Sequence, residues 1–272
     1  MKKLNVSSSN LSSYTQIGIL GVLIVIAFLL GSLLERSGDK TDITKKDTDT
    51  EEVDNQPAAV KPAVGMDQIR DAFDEAFIKF GDTNKKVVFI EVSDPSCPYC
   101  QIAGGKNGEL NKEAGARFTL VADGGTYVAP VTEMRKLVDS GEAAFAMIYK
   151  NGHGAGEMAM KALYCAYEQG KFWEANDLIM SSAGYDLVNN TVKNDKTKSG
   201  VLADFLSSVV NKNDMKTCLD SGKYDNQLKA DSSTATSIGV NGTPGFYVNE
   251  TNFSGAYSYA DMESVVKAAL GE

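Results

Sequence analysis

The chain has 272 residues, a net charge of −9 at pH 7, four cysteines and one histidine. This length is sufficient for one domain of about 200 residues with a sizeable core, plus shorter appendages. The acidic balance argues against nucleic-acid binding, for which a basic face is expected. With one histidine, a His-rich metal site or Ser-His-Asp chemistry is hard to build. The four cysteines fit an oxidising compartment.

An apolar segment occupies residues 17–34, and Lys2 and Lys3 carry the only charged side chains before it. Its length is about the minimum for a helix that spans a bilayer. A cleaved signal peptide is the alternative, but the segment is long for one and no A-x-A site follows it. We therefore expect a cytoplasmic tail at 1–16, a single-pass signal-anchor at 17–34, and all that follows outside the membrane.

Residues 35–65 are rich in Asp, Glu, Lys and Thr and poor in large apolar residues, which predicts a flexible linker. The folded part is expected to begin at residue 66. From Ile69 to Phe80, apolar residues recur with helical spacing, and Gly81 follows. This pattern predicts one amphipathic helix that the glycine closes.

The most informative stretch is an apolar run, broken only by Glu91, that leads into Cys97-Pro98-Tyr99-Cys100. The run predicts a strand buried on both faces, and the cysteines follow where a helix should begin. A helix N-terminus favours the thiolate of Cys97, and Pro98 suits the first turn because its missing N–H has no partner there. The arrangement indicates a redox motif, with Cys97 as the exposed nucleophile and Cys100 as the resolving thiol.

The remaining elements are predicted from periodicity and turn residues. They are, in chain order, a hairpin over 117–128, a helix over 131–140, a core strand over 143–149, helix through most of 154–180, a polar loop over 185–198, short helices around 201–210, 214–220 and 225–237, a hairpin of 246–248 with 253–255, and a closing helix over 259–270.

Three features together resemble the thioredoxin superfamily: the C-x-x-C motif, Glu91 on the preceding strand, and Thr243-Pro244 before a short apolar strand. Segments 161–180 and 218–249 are similar to membrane-anchored, bacterial DsbA-like thiol–disulfide oxidoreductases. The resemblance implies an α/β thioredoxin fold, formed by residues 66–153 and 238–272, with an inserted helical domain at 154–237.

The resemblance also implies roles for residues around the motif. Glu91 is expected to be a buried acid that relays the proton of Cys100, and Pro244 to be a cis-proline facing the cysteines. Thr243 is expected to offer its backbone to an extended client peptide, like an added strand.

Further implied contacts and one implied bridge complete the expected site. Pro98 and Tyr99 are expected to contact the client together with the Thr243-Pro244 step. Cys165 and Cys218 are expected to form a structural disulfide, and two buried free thiols are the alternative.

The expected function is an extracytoplasmic enzyme that introduces disulfides into exported proteins through a redox-active Cys97–Cys100 disulfide, without a further cofactor or metal. Its expected partners are reduced or unfolded exported proteins, the membrane, and a membrane redox partner that reoxidises it; nucleic acid is not among them. An isomerase or reductase is one alternative, since Pro-Tyr lacks the histidine of the strongest oxidants. The other is a thioredoxin-fold module that holds a metal or client without turnover, although a zinc site needs a second ligand pair.

Overall fold

The computed structural model describes residues 64–272. The predicted tail at 1–16, the anchor at 17–34 and nearly all of the 35–65 linker therefore lie outside the described residues. Within 64–272, no helix combines the length and the apolar character that a membrane crossing requires. These residues form a mixed five-stranded sheet with helices on both faces.

The sheet contains five strands in the spatial order β1-β3-β2-β4-β5. They are β1 (Ile78–Phe80), β2 (Val87–Ser93), β3 (Ala143–Tyr149), β4 (Gly245–Val248) and β5 (Thr251–Ser254). Strand β2 is parallel to β3, and the other three pairings are antiparallel. Every residue of β2 is buried because the strand is central and both sheet faces are covered, which explains why its sequence is apolar except for Glu91 and Ser93.

Helices fill both sides of the sheet and most of the connection between β3 and β4. They are α1 (Met66–Glu75), α2 (Pro98–Gly104), α3 (Gly108–Glu113), α4 (Pro130–Asp139), α5 (Glu157–Glu168), α6 (Phe172–Ile179), α7 (Ser182–Asp186), α8 (Ser199–Phe205), α9 (Lys212–Ser221), α10 (Asp225–Ser237) and α11 (Tyr259–Leu270). The run from α5 to α10 separates β3 from β4, so the predicted thioredoxin-like fold with a helical insertion is confirmed.

Alternate side chains of β2 point to opposite sides of the sheet and enter two different apolar layers. Val88, Ile90 and Val92 pack in the layer that contains Ile69 and Phe73 of α1. The other layer is larger and holds side chains from α2, α4, α5, α6 and α11. Glu91 is buried on this second side, between its neighbours Met147 of β3 and Phe246 of β4.

A disulfide joins Cys165 of α5 to Cys218 of α9, with a Cα–Cα distance of 6.1 Å across a sequence separation of 53. Helix α5 is buried along most of its length, and the bridge ties the exposed α9 to it. The bridge thus lies wholly within the helical insertion.

The predicted first helix is too long. Helix α1 ends at Glu75, and Ile78–Phe80 is an edge strand antiparallel to β3. The aromatic residues Phe77 and Phe80 satisfy helical spacing, but they pack against Tyr167, and the backbone of 78–80 pairs with β3 instead. A three-residue strand leaves no periodic signal that would separate it from the preceding helix.

Two further local predictions are wrong, and a third is shifted. Residues 117–128 form no hairpin but two 3₁₀ turns, Ala116–Phe118 and Val121–Asp123, with a single bridge between Leu120 and Tyr127. The predicted 185–198 loop contains a π-helical turn at Leu187–Val192. The last hairpin turns at 249–250 rather than 250–252, because Asn249 adopts the left-handed conformation with φ 51°.

Candidate active site

The two cysteines of the C-x-x-C motif lie at the start of α2, as the sequence predicts. Cys97 is the N-cap residue and Pro98 the first helical residue. The Cys97 N–H donates to the Asp94 carbonyl at 2.9 Å, which fixes the turn between β2 and the helix. Helix α2 is short because Gly105 follows it with φ 67°, where a side chain would also collide with Ala129.

Cys97 is less exposed than the sequence predicts: 5% of its surface is accessible, against 0% for Cys100. The expectation of an exposed nucleophile is therefore wrong as stated, although Cys97 is the outer of the two sulfurs. The pKa of Cys97 is lowered to about 6. The Cys100 thiol contributes most to that lower pKa, the Thr243 hydroxyl and the N–H groups of Cys100 and Tyr99 add to it, and burial opposes it.

The Cys100 thiol is shifted in the opposite direction. Burial raises its pKa well above the usual range, and the hydrogen bond to Cys97 and the charge of that sulfur raise it further. The Asp94 N–H, 3.4 Å from the Cys100 sulfur, opposes this shift without reversing it. At neutral pH the site therefore holds one thiolate, on Cys97, and one buried thiol.

The loop that carries Pro244 covers the sulfurs. The Thr243–Pro244 peptide bond is cis. The Cys97 thiol lies 3.4 Å from the Thr243 carbonyl oxygen, to which it donates when protonated. Pro244 is buried and Thr243 is half-buried. The structure thus brings together two predicted site elements that are 146 residues apart in the chain.

Glu91 lies beneath the helix start, with 1% of its surface accessible and no hydrogen-bond partner for Oε2 among the described residues. Burial raises its pKa to about 7, and the Ser93 hydroxyl acts in the other direction. The same hydroxyl lowers the pKa of Cys100. The Ser93 hydroxyl makes no hydrogen bond of standard geometry within 64–272, yet it is close enough to both the acid and the resolving cysteine to lower the pKa of each.

Asp94 is a second site residue that sequence reasoning missed. It is fully buried, and its carboxylate accepts hydrogen bonds from Ser96 N–H and Oγ–H and from the N–H groups of Gly152 and His153, at 2.7–2.9 Å. A side chain at residue 152 would collide with Thr243. Asp94 therefore holds the β3–α5 loop against both the cysteine turn and the Pro244 loop. Two of its donors, Gly152 and His153, are 58 and 59 residues away in the chain, so no local sequence pattern identifies this role.

A groove of about 500 Å³ opens beside the sulfurs. We call it the active-site groove; its lining includes Tyr99, Arg117, Phe118, Thr243, Ala256 and Tyr257. Tyr99, between the two cysteines, is 50% exposed and forms part of one wall, and Thr243 forms part of another. The groove lies next to the Cys97 sulfur, because Thr243, whose carbonyl oxygen is 3.4 Å from that sulfur, is part of its lining.

The other predicted cysteines are not part of this site, since the Cys165–Cys218 bridge lies within the helical insertion. Across residues 64–272, no group of three or more His, Cys, Asp or Glu side chains is arranged to hold a metal ion. The chemistry that the site does show is that of two adjacent sulfurs with opposite pKa shifts. Together with the fold, this sulfur pair defines a thiol–disulfide oxidoreductase, whose redox group is a disulfide of the chain itself.

A family model described as thioredoxin matches residues 131–268. The match spans half of the chain, and the protein belongs to this thioredoxin family. The matched region begins after the C-x-x-C motif and includes the Pro244 loop. No curated protein sequence matches the chain.

Several solved structures share the fold. BdbD from Bacillus subtilis, in its oxidised form, superposes with a TM-score of 0.54 at 16% identity, covering 74% of this chain and 95% of its own. The α-DsbA1 protein of Wolbachia pipientis gives 0.52 at 18% identity, over 71% of this chain and 90% of its own. DsbA from Chlamydia trachomatis gives 0.50 at 18% identity, over 70% and 89%. At these identities the likeness establishes the fold.

Proposed function

We propose that the protein is an extracytoplasmic oxidase that introduces disulfides into exported proteins. The observation that carries this proposal is the unequal pair of sulfurs, in which Cys97 has a pKa of about 6 and Cys100 is buried with a raised pKa. A low pKa at the first cysteine stabilises the reduced form and so makes the disulfide a stronger oxidant. The fold shared with BdbD and with DsbA proteins supports the same function.

The reaction begins with the Cys97–Cys100 disulfide. A client thiolate attacks the Cys97 sulfur, which forms a client–Cys97 bond and breaks the Cys97–Cys100 bond. Cys100 leaves as a thiolate and takes up a proton, because its pKa lies far above neutral. Glu91, with a pKa of about 7, is protonated in about half of the molecules at neutral pH and supplies that proton.

A second client thiolate then attacks the client sulfur of the mixed disulfide. The client disulfide forms, and Cys97 leaves as the thiolate that its surroundings stabilise. Two electrons have passed from the client to the protein, and solvent protons replenish Glu91. A membrane partner that accepts two electrons restores the Cys97–Cys100 disulfide.

The client-binding surface that we propose consists of Pro98, Tyr99, Thr243 and Pro244. The short distance between the Thr243 carbonyl oxygen and the Cys97 sulfur, 3.4 Å, and the exposed position of Tyr99 in the groove support this assignment. An extended client pairs with the backbone at Thr243 as an added strand, which places the client cysteine at the Cys97 sulfur.

The cellular arrangement is part of the proposal. Residues 17–34 are the membrane anchor, 1–16 the cytoplasmic tail and 35–65 the tether, and the thioredoxin-fold part (66–153 and 238–272) with its insertion (154–237) lies outside. Lys2 and Lys3 before the apolar segment support this orientation. Protease added to spheroplasts should digest the protein after residue 34, whereas full protection of that region would reverse the orientation.

The decisive experiment offers oxidised protein to a reduced two-cysteine peptide and follows the disulfide. We expect stoichiometric oxidation of the peptide, and a trapped mixed disulfide at Cys97 in the Cys100→Ser variant. An isomerase would instead convert scrambled clients faster than it oxidises reduced ones. A non-catalytic module would bind the peptide or a metal without passing electrons, which metal analysis of the purified protein and the absence of peptide oxidation would reveal.

A further inference from the structure

The segment between α3 and α4 is firmly attached beside the active site. The single proton of the Tyr127 hydroxyl is shared between the carbonyl oxygens of Ala256 and Tyr257, which lie 3.3 and 3.2 Å away. Next to it, the Val128 N–H donates to Ser258 Oγ at 3.0 Å, and the Tyr259 N–H donates to the Val128 carbonyl at 2.8 Å. The segment is thus fastened to the connection between β5 and α11, and its 3₁₀ turns form a fixed wall.

The inner part of this wall reaches the residue between the two cysteines. The Asn111 side chain, itself buried, donates to the Phe118 carbonyl at 3.0 Å and holds the first 3₁₀ turn in place. The Phe118 ring then lies 5.9 Å from that of Tyr99 and 5.7 Å from that of Tyr127, with edge-to-face geometry in both pairs. Phe118 is therefore positioned by packing on two sides.

Arg117 gives this wall its charge. It is exposed, its guanidinium lies 5.6 Å from the centre of the Phe118 ring, and it makes no salt bridge with any residue of 64–272. Among the described residues that line the active-site groove, Arg117 is the one with a positive charge, and none carries a carboxylate. The groove therefore has a positive side in a protein whose net charge is −9.

We propose that Arg117 and Phe118 form a client-selecting subsite, which favours clients that carry an Asp or Glu side chain close to the reacting cysteine. This inference rests on the proposed function and names the client class of the same site. Arginine suits the role because its planar fork binds a carboxylate with two parallel hydrogen bonds. The guanidinium of Arg117 packs over the face of the Phe118 ring, which leaves the N–H groups of the guanidinium free for the client.

The alternative role for an exposed arginine beside the site is to lower the pKa of the cysteines without contacting the client. The causes that lower the pKa of Cys97 are its neighbours Cys100, Thr243 and Tyr99, and Arg117 is not among them. Replacing Arg117 should therefore change the choice of client without changing the intrinsic reactivity of Cys97. This difference separates selection from tuning.

The test uses the oxidised full-length protein and reduced peptides that are otherwise uncharged, in which one residue within three positions of the cysteine is Asp, Asn or Lys. The rate of mixed-disulfide formation is measured for the parent, Arg117→Gln, Arg117→Glu and the matched control Lys229→Gln. Lys229 is an exposed lysine on α10 and lies outside the active-site groove. Dithiothreitol, which carries no ionised group besides the attacking thiolate that every client also has, reports the intrinsic reactivity of each variant.

We expect the parent to prefer Asp over Asn at one or more positions by about twofold to fivefold at low salt, the range of one exposed ion pair. Arg117→Gln should abolish this preference and Arg117→Glu should favour the Lys peptides, with dithiothreitol rates unchanged, and salt should weaken both effects. An unchanged preference in Arg117→Gln, or an equal loss in Lys229→Gln, would overturn the inference and leave the oxidase standing. If the parent oxidises none of the peptides, the proposed function itself is wrong and the subsite with it.

Discussion

The protein carries two pairs of cysteines that differ in almost every physical respect. Cys97 and Cys100 are free thiols at the first turn of a helix, one of them with a pKa of about 6. Cys165 and Cys218 are bonded across two helices, at a sequence separation of 53. The first pair has a helix N-terminus and a covering loop; the second has neither.

The difference teaches which feature makes a sulfur pair reactive. A disulfide that closes a long loop stabilises the fold by constraining the unfolded chain, and this benefit grows with loop length. A bridge between residues three apart closes almost no loop, so it adds little to the stability of the fold. What matters there is the unequal stabilisation of the two thiolates, which favours the reduced form and so the transfer of the disulfide to a client.

The largest expected effect is that of Cys97→Ser. The variant should oxidise no reduced peptide, because the sulfur that a client attacks is gone. Peptide oxidation followed by thiol titration measures this. Residual oxidation by the variant would mean that the Cys165–Cys218 bridge also exchanges, and the distinction between the two pairs would fail.

The double variant Cys165→Ala with Cys218→Ala should show the converse. It should lose up to about 4 kcal/mol of unfolding free energy, the value expected for a loop of this length in the chain-entropy model. Its rate of peptide oxidation at 25 °C should stay within about twofold of the parent's, since the bridge lies outside the active site. Urea unfolding and oxidation kinetics on the same samples make the comparison. A parent-like stability, or loss of activity in the folded variant, would contradict it.

Glu91→Gln should remove a pH dependence of stability. The folded pKa of about 7 lies above the ordinary value of 4.5, so the folded protein retains a proton that the unfolded chain loses. Stability from this group is full below about pH 4.5 and declines as pH rises through 7. The shift in pKa corresponds to about 3 kcal/mol of unfolding free energy. The Glu91→Gln variant should therefore be more stable than the parent by at most this amount at pH 8, and equally stable at pH 4.5.

The measurement is urea unfolding at several pH values. It uses oxidised protein, in which Cys97 is in a disulfide and adds no pH dependence of its own to the stability. The same variant should turn over more slowly than the parent, because an amide cannot deliver a proton to Cys100. Parallel stability curves for parent and variant, or equal turnover from pH 5 to pH 9, would remove Glu91 from the mechanism.

Ser93→Ala should have the smallest effect of the series. The hydroxyl lowers the pKa of both Glu91 and Cys100, so its loss should raise both and make Cys100 a poorer leaving group. We expect mixed-disulfide formation to slow by about fivefold at most, the value of one neutral hydrogen bond, and the pH profile of turnover to move upward. A slower rate with an unmoved pH profile would indicate a packing effect only.

Much of this fold could be predicted because its strongest signals are local. The apolar run of β2, the C-x-x-C turn and Thr243-Pro244 each occupy a few consecutive residues and require a particular backbone. The sequence wrongly extends the first helix over residues 76–80, because three residues cannot establish a strand period and only pairing with β3 decides their state.

The site was less predictable wherever it depends on residues that meet through tertiary structure. The Asp94 carboxylate accepts hydrogen bonds from the N–H groups of Gly152 and His153. These residues are 58 and 59 positions away, so no local sequence pattern predicts the role of Asp94. The reduced exposure of Cys97 likewise follows from coverage by Thr243. The segment from 116 to 128 alternates enough to suggest strands, but its tyrosine and backbone groups bond to the β5–α11 connection instead.

The most direct test of the account is the reduction potential of the Cys97–Cys100 pair, measured by equilibrating the protein with glutathione buffers. The reference values are about −120 mV for DsbA and about −270 mV for thioredoxin. The lowered pKa of Cys97 favours the oxidising end, and Tyr99 adds no positive charge that would carry the potential to its extreme. We predict a value between the two, nearer that of DsbA. A value at or below that of thioredoxin would contradict the oxidase and favour a reductase.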